Sequence, residues 1–159
     1  MYKERFQQYK TIIHNDKIIA DITKRITLIP DARNDDAICG NYYIRDGETA
    51  HSLAQDFYNE SDHYWLILLV NQISDPFFQW PLTTVEFERY MDYRFGVAAD
   101  ETKYYLWNDR EYEVSPNIGA YPVTNREHEN NLNESRRKIK VVREQWLSKV
   151  IEEHKRLLS

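Results

Sequence analysis

Seven apolar residues in a row, Tyr64-Trp65-Leu66-Ile67-Leu68-Leu69-Val70, form the longest such run in the 159-residue sequence. Apolar on every side, the run has no face to turn to water and must lie at the centre of a core. It is far shorter than the roughly 20 residues that cross a bilayer. Periodicity alone does not separate a buried helix from a buried strand here. The run holds three leucines and only two β-branched residues, and Ser61 stands before it as a cap, so a helix is expected over 63–71.

The flanks of this run are patterned. Tyr42-Tyr43-Ile44-Arg45 reads as a short strand ending at the turn pair Asp46-Gly47, where glycine supplies a positive φ. Thr49 sits at an N-cap position, and Leu53, Ala54, Phe57 and Tyr58 recur at helical spacing, so an amphipathic helix is expected over 50–59. After Asp75-Pro76 comes a proline-flanked aromatic loop, Phe77-Phe78-Gln79-Trp80-Pro81-Leu82. Thr83 and Glu86 make a capping box, opening a helix through Phe87, Tyr90, Met91 and Arg94 to a stop at Gly96.

Upstream, Thr11-Ile12-Ile13 and Ile18-Ile19 flank a polar turn, a hairpin signal. Residues 21–28 alternate polar and apolar, the period of a half-buried strand, and 33–39 reads as a short helical turn. Downstream, a polar connector over 97–103 leads to a hairpin of 103–107 and 111–114, then a loop over 115–122. Thr124 and Glu127 form a second capping box on a polar helix to about Glu134. Ile139-Lys140-Val141-Val142 is β-branched enough for a short strand. The last helix, 144–158, lines up Trp146, Leu147, Val150, Ile151, Leu157 and Leu158 on one stripe. The fold class expected is α+β in four parts. They are a β arm over 1–40, a strand-helix-helix core over 41–96, a hairpin and loop over 97–123, and a helical arm with a short strand over 124–159.

Catalytic patterns are missing from the sequence. Five scattered histidines show no metal-ligand spacing, and lone Cys39 carries no nucleophile signature and suits a reducing compartment. Four glycines leave no phosphate-cradling loop. Met1-Tyr2-Lys3-Glu4-Arg5 is charged with no apolar stretch behind it, so no export signal is expected. The net charge is -5, and it is polarised: residues 124–159 carry nine Lys/Arg against six Asp/Glu, the remainder twelve against twenty. On so acidic a chain the basic run Arg136-Arg137-Lys138-Ile139-Lys140 reads as a subunit contact rather than a nucleic-acid patch. Aromatic residues reach 14 %, with twelve tyrosines and four tryptophans, a surplus suited to protein–protein surfaces.

Tyr43-Ile44-Arg45-Asp46-Gly47-Glu48-Thr49, Leu53-Ala54, Tyr58, Trp65 and Asn71 resemble the LysM pattern, whose modules bind N-acetylglucosamine polymers. Glu48 replaces the usual Asp, and the aromatic loop replaces the glycine turn into a second strand, which argues against glycan binding. A longer match runs from Asp46-Gly47-Glu48-Thr49 through His63–Asn71, Asp75-Pro76-Phe77, Trp80-Pro81-Leu82, Phe87 and Tyr90 to Phe95-Gly96. With flanking motifs at 21–25, 133–134 and 137–142, it is similar to the baseplate wedge subunits with a LysM-like core of contractile-tailed, T-even-like bacteriophages.

The resemblance implies a virion component of the tail baseplate, made in the host cytoplasm, that joins neighbouring wedges beside the wedge protein that starts the sheath. It implies no catalysis, no cofactor, no nucleic acid and no membrane. The alternative is a peptidoglycan-binding module with a groove beside Gly47, Glu48 and Thr49. For docking, the expected contact loop is Phe77, Phe78, Trp80 and Pro81. A second face is expected from Tyr104, Trp107 and Tyr112, with Tyr105 on the opposite side. Arg136, Arg137 and Lys138 are expected to pair with acidic residues of a neighbour, and Trp146, Leu147 and Val150 are either core or inter-subunit stripe.

Overall fold

The computed structural model describes residues 9–21, 26–116 and 118–158. Among them are seven α-helices and seven strands in three small sheets, an α+β fold as expected. They group into two compact units. The first takes the described residues of 1–42, 48–76 and 139–159; the second takes 43–47 and 77–138.

The first unit begins with the expected hairpin, β1 (Thr11–His14) and β2 (Lys17–Ala20), in register Ile12 with Ile19 and Ile13 with Ile18. Its two-residue turn, Asn15-Asp16, has both φ angles positive (50° and 60°), the turn that matches strand twist. Of the alternating stretch 21–28, residues 22–25 lie outside the described part, and 26–28 are not strand. A short helix α1 (Pro30–Asn34) carries Pro at its first turn, where a missing N–H costs nothing. Strand β3 (Cys39–Tyr43) starts earlier than the tyrosine pattern suggests.

Helix α2 (Ala50–Tyr58) is capped by Thr49: its hydroxyl accepts from Ser52 N, and Ser52 Oγ accepts from Thr49 N at 2.9 Å. A 3₁₀ turn, Ser61–His63, leads into α3 (Tyr64–Val70), where Leu66, Ile67 and Val70 are wholly buried. The apolar run is therefore the core helix that its composition requires. Strand β7 (Lys138–Val142) lies beside β3 in a two-stranded sheet, so a strand-helix-helix-strand unit closes across about a hundred residues of sequence. Two side chains fasten that closure. The Asn71 amide donates to Ile67 O and Lys140 O and accepts from Lys140 N, all at 2.8 Å. Tyr58 Oη accepts from Val142 N at 3.2 Å. Helix α7 (Glu144–Leu158) buries His154 and Leu158, with the His154 ring 4.4 Å from that of Trp65.

The stretch from Pro76, the last residue of the first unit's middle segment, into the second unit differs from expectation. Pro76–Gln79 is one helical turn, α4, rather than a loop, because Pro76 presets the helical φ of its first residue. Helix α5 (Thr84–Arg94) starts at the expected box: Glu86 N donates to Thr83 Oγ1, and the Glu86 carboxylate accepts from Thr83 N at 2.9 Å. Phe87, Met91 and Ala99 form its core, flanked by Leu82, Tyr90 and Phe95. Gly96, at φ 51°, ends the helix into a 3₁₀ turn, Gly96–Asp100. The expected hairpin is β4 (Thr102–Trp107) with β5 (Arg110–Tyr112). Part of the expected loop 115–122 is instead a third strand, β6 (Tyr121–Thr124), pairing with β4. Pro122 fits there because β6 is an edge strand. Thr124 and Glu127 cap α6 (Asn125–Arg137), which runs three residues past Glu134.

Candidate functional site

The expected contact loop separates into two halves. On α4, Phe77 is 90 % exposed and Phe78 75 %, while Trp80 is half-buried and Pro81 is buried. Pro81, expected in the contact loop, is thus an interior residue of this chain. Just behind it, polar side chains hold the backbone. Leu82 N donates to Asn133 Oδ1 at 2.7 Å, and Asn133 Nδ2 donates back to Leu82 O at 3.1 Å. Arg137 donates through Nη2 to Leu82 O (3.1 Å) and Asp46 (3.2 Å), through Nη1 to Ile44 O (3.3 Å) and through Nε to Glu134 (2.8 Å). Asp46 also accepts from Thr84 N at 3.0 Å, and Glu134 accepts from the Tyr43 hydroxyl.

The electrostatics follow from this geometry. Burial opposes the charge of Arg137, but Glu134 and Asp46 outweigh it and hold its pKa above the usual value. The Tyr43 hydroxyl, then Arg137, lowers the Glu134 carboxyl. Burial would raise Asp46, but the Thr84 N–H and Arg137 reverse this and lower it. Arg137, expected to pair with a neighbour's acidic residues, is the centre of a clamp inside the unit. Of the expected basic triplet, Arg136 and Lys138 are exposed.

On the sheet, the aromatic face differs from expectation by one residue. Tyr105 stands opposite Tyr112 in register, and the Trp107 and Tyr112 rings lie 6.3 Å apart. Strand alternation thus groups Tyr105, Trp107 and Tyr112. Tyr104 turns to the other side, where its ring meets His128 of α6 edge-on at 5.7 Å. Residues two apart share a face and residues three apart do not, so Tyr104 and Tyr105 exchange places.

Trp146, Leu147 and Val150 are all half-buried. Within the first unit, Trp146 and Val150 line an apolar groove of about 390 Å³ with Ile26, Leu28, Ile29 and Leu157. At the turn after β3, Glu48 accepts from the Tyr42 hydroxyl at 2.8 Å and Thr49 caps α2, so two of the three residues expected beside a sugar groove have structural duties. Among the described residues no three His, Cys, Asp or Glu side chains gather to hold a metal ion. Cys39 is buried, and burial raises its thiol pKa, away from the reactive thiolate. No described helix is long and apolar enough to cross a membrane.

Asn133, Asn71 and Asp46 were not singled out by sequence reasoning as functional. Each acts on backbone groups far along the chain, and no local pattern reports that. The arrangement offers exposed aromatic surface on a braced backbone, which suits docking.

No curated protein matches the chain. Residues 35–114, half of its length, match the family described as base plate wedge protein 53. The matched stretch runs from the approach to β3 through the capped helices and α4 to the β4–β5 hairpin. The chain belongs to the phage base plate wedge protein 53 family, and it is a structural component of the virion tail base plate.

Proposed function

We propose that this protein joins neighbouring wedges of a contractile-tail base plate by protein–protein docking and performs no catalysis. The observation that carries the reading is the Phe77–Phe78 pair, two largely exposed rings on a single helical turn. Rings of this size bury much area with little side-chain entropy to lose, and a stiff, proline-led turn lowers the ordering cost further. The clamp of Asn133 and Arg137 on Leu82 braces the chain just behind them. Trp80, half-buried two residues after Phe78, adds a partly exposed ring to the same surface. The Tyr105–Trp107–Tyr112 face is a second docking surface, and Arg136 and Lys138 supply charge for acidic neighbours. The wedge protein that starts the sheath and the adjoining wedges are the partners. The test is a Phe77→Ser, Phe78→Ser double variant supplied to a phage lacking its own copy. Its unfolding midpoint should match the parent, because the rings are exposed, while incorporation into base plates should fall at least tenfold. Normal incorporation would remove these rings from the mechanism.

A further inference from the structure

The β1–β2 hairpin carries more apolar surface than its own chain covers. Side chains alternate along a strand, so the Ile12–Ile19 and Ile13–Ile18 pairs stand on opposite faces. Ile12 and Ile19 are 39 and 42 % exposed, whereas Ile13 and Ile18 are 78 and 76 % exposed. Strands apolar on both faces are the kind found buried between layers. Among the described residues the edges are open as well. A two-residue turn makes His14–Lys17 the hydrogen-bonded closing pair, so alternation points the amides and carbonyls of Thr11 and Ile13 out of one edge. Those of Ile18 and Ala20 point out of the other. Two four-residue strands on a tight turn are marginal alone in water, and a third strand or a packed layer is what stabilises such a ribbon. Its foot is fixed: Lys10 N donates to Leu158 O at 3.3 Å, and Asp21 N to Lys10 O at 2.7 Å.

We propose that this hairpin is a strand-addition arm. An extended segment of a neighbouring base plate protein, apolar at alternate residues, adds to one edge as a third strand and covers Ile13 and Ile18. Main-chain hydrogen bonds would supply affinity and the isoleucines register. The occupant is a different chain rather than a second copy, on grounds of area. The hairpin strands total eight residues, against the roughly 20–30 a side and about 1,200–2,000 Å² of a stable two-body interface. Copies held by this patch alone would separate, whereas a neighbour that also grips the chain elsewhere makes the strand contact nearly intramolecular. The inference rests on the wedge-docking reading for that second grip.

The test replaces Ile13 of the full chain with photoreactive benzoylphenylalanine and assembles it into base plates. Irradiation should cross-link position 13 to a peptide of another base plate protein. Amide exchange over residues 11–20 should slow at least tenfold between the free chain and the assembled particle. Cross-linking to a second copy or only to its own chain, no cross-link, or unchanged exchange would overturn the proposal. Ile13→Asp with Ile18→Asp should keep the parent unfolding midpoint and lower incorporation at least tenfold. If that variant assembles normally while the Phe77, Phe78 variant does not, the strand arm fails and wedge docking stands. If position 13 cross-links as expected but the phenylalanine variant assembles normally, the strand arm stands and only the rings at 77 and 78 leave the docking mechanism.

Discussion

Arg137 sits where water hardly reaches, 7 % exposed, and keeps its charge because four acceptors surround its fork. Two are carboxylates that remain in partial contact with solvent, so Asp46 and Glu134 can rehydrate when the cation is removed. The other two are carbonyls that would be left short of donors. Arg137→Met should therefore lower stability by about 2–3 kcal/mol, less than the 3–5 typical of a fully buried broken pair. Urea unfolding of the full chain reads this directly. Arg137→Lys should restore under half of the loss, since a point charge cannot span Leu82, Ile44 and Glu134 together. Full restoration by lysine would mean that charge, not fork geometry, matters there. Asn133 is the neutral counterpart, matching donor and acceptor to one residue's backbone. Asn133→Ala should cost about 1–2 kcal/mol in the same measurement.

At the level of elements, three helices begin with reciprocal caps, at Thr49, Thr83 and Thr124. Thr83→Ala should lower the stability of the chain by about 1 kcal/mol, and Thr83→Ser should leave it near the parent, as read from urea midpoints. Two of these boxes are plain in the sequence, because Glu stands three residues after Thr. At Thr49 the third residue is Ser52, and only the structure shows the return bond. Local signals of this kind are short-ranged, and what depended on them was legible: the core helix, both hairpins and the final helix. What failed depended on distant residues. The β3–β7 pairing joins strands about a hundred residues apart, and neither states its partner. Strand β6 hides behind Pro122, a residue that disfavours strands except at an edge. Arg137 reads as part of a basic surface run until Asp46, Ile44 and Leu82 converge on it. Along the aromatic stretch, Phe77 and Phe78 are exposed and Pro81 is buried, and nothing local in the sequence separates them.

Across the whole molecule, the shifted groups set how stability depends on pH. Asp46, Glu86 and Glu134 titrate below their ordinary values of 3.8, 4.5 and 4.5. For Glu86 the cause is the hydrogen bonds of Thr83. Near pH 4 the unfolded chain then binds more protons than the folded one, so their contribution is complete above about pH 5 and is lost as pH falls through the folded values. The alkaline side runs the other way. Burial raises the Cys39 thiol above 9.0 and the Tyr58 phenol above 10.0, because the interior disfavours their anions. That contribution is complete below pH 9 and declines as rising pH ionises the unfolded chain first. The urea midpoint should accordingly be flat from about pH 5 to about pH 9 and fall on both sides. Tyr58→Phe separates the limbs. It should cost about 1 kcal/mol at neutral pH, since Val142 N loses its acceptor, and leave the acid limb as it is. Its alkaline limb should be shallower, because one ionising phenol is gone. An alkaline limb as steep as the parent's would show that Tyr58 is not what strains the fold at high pH.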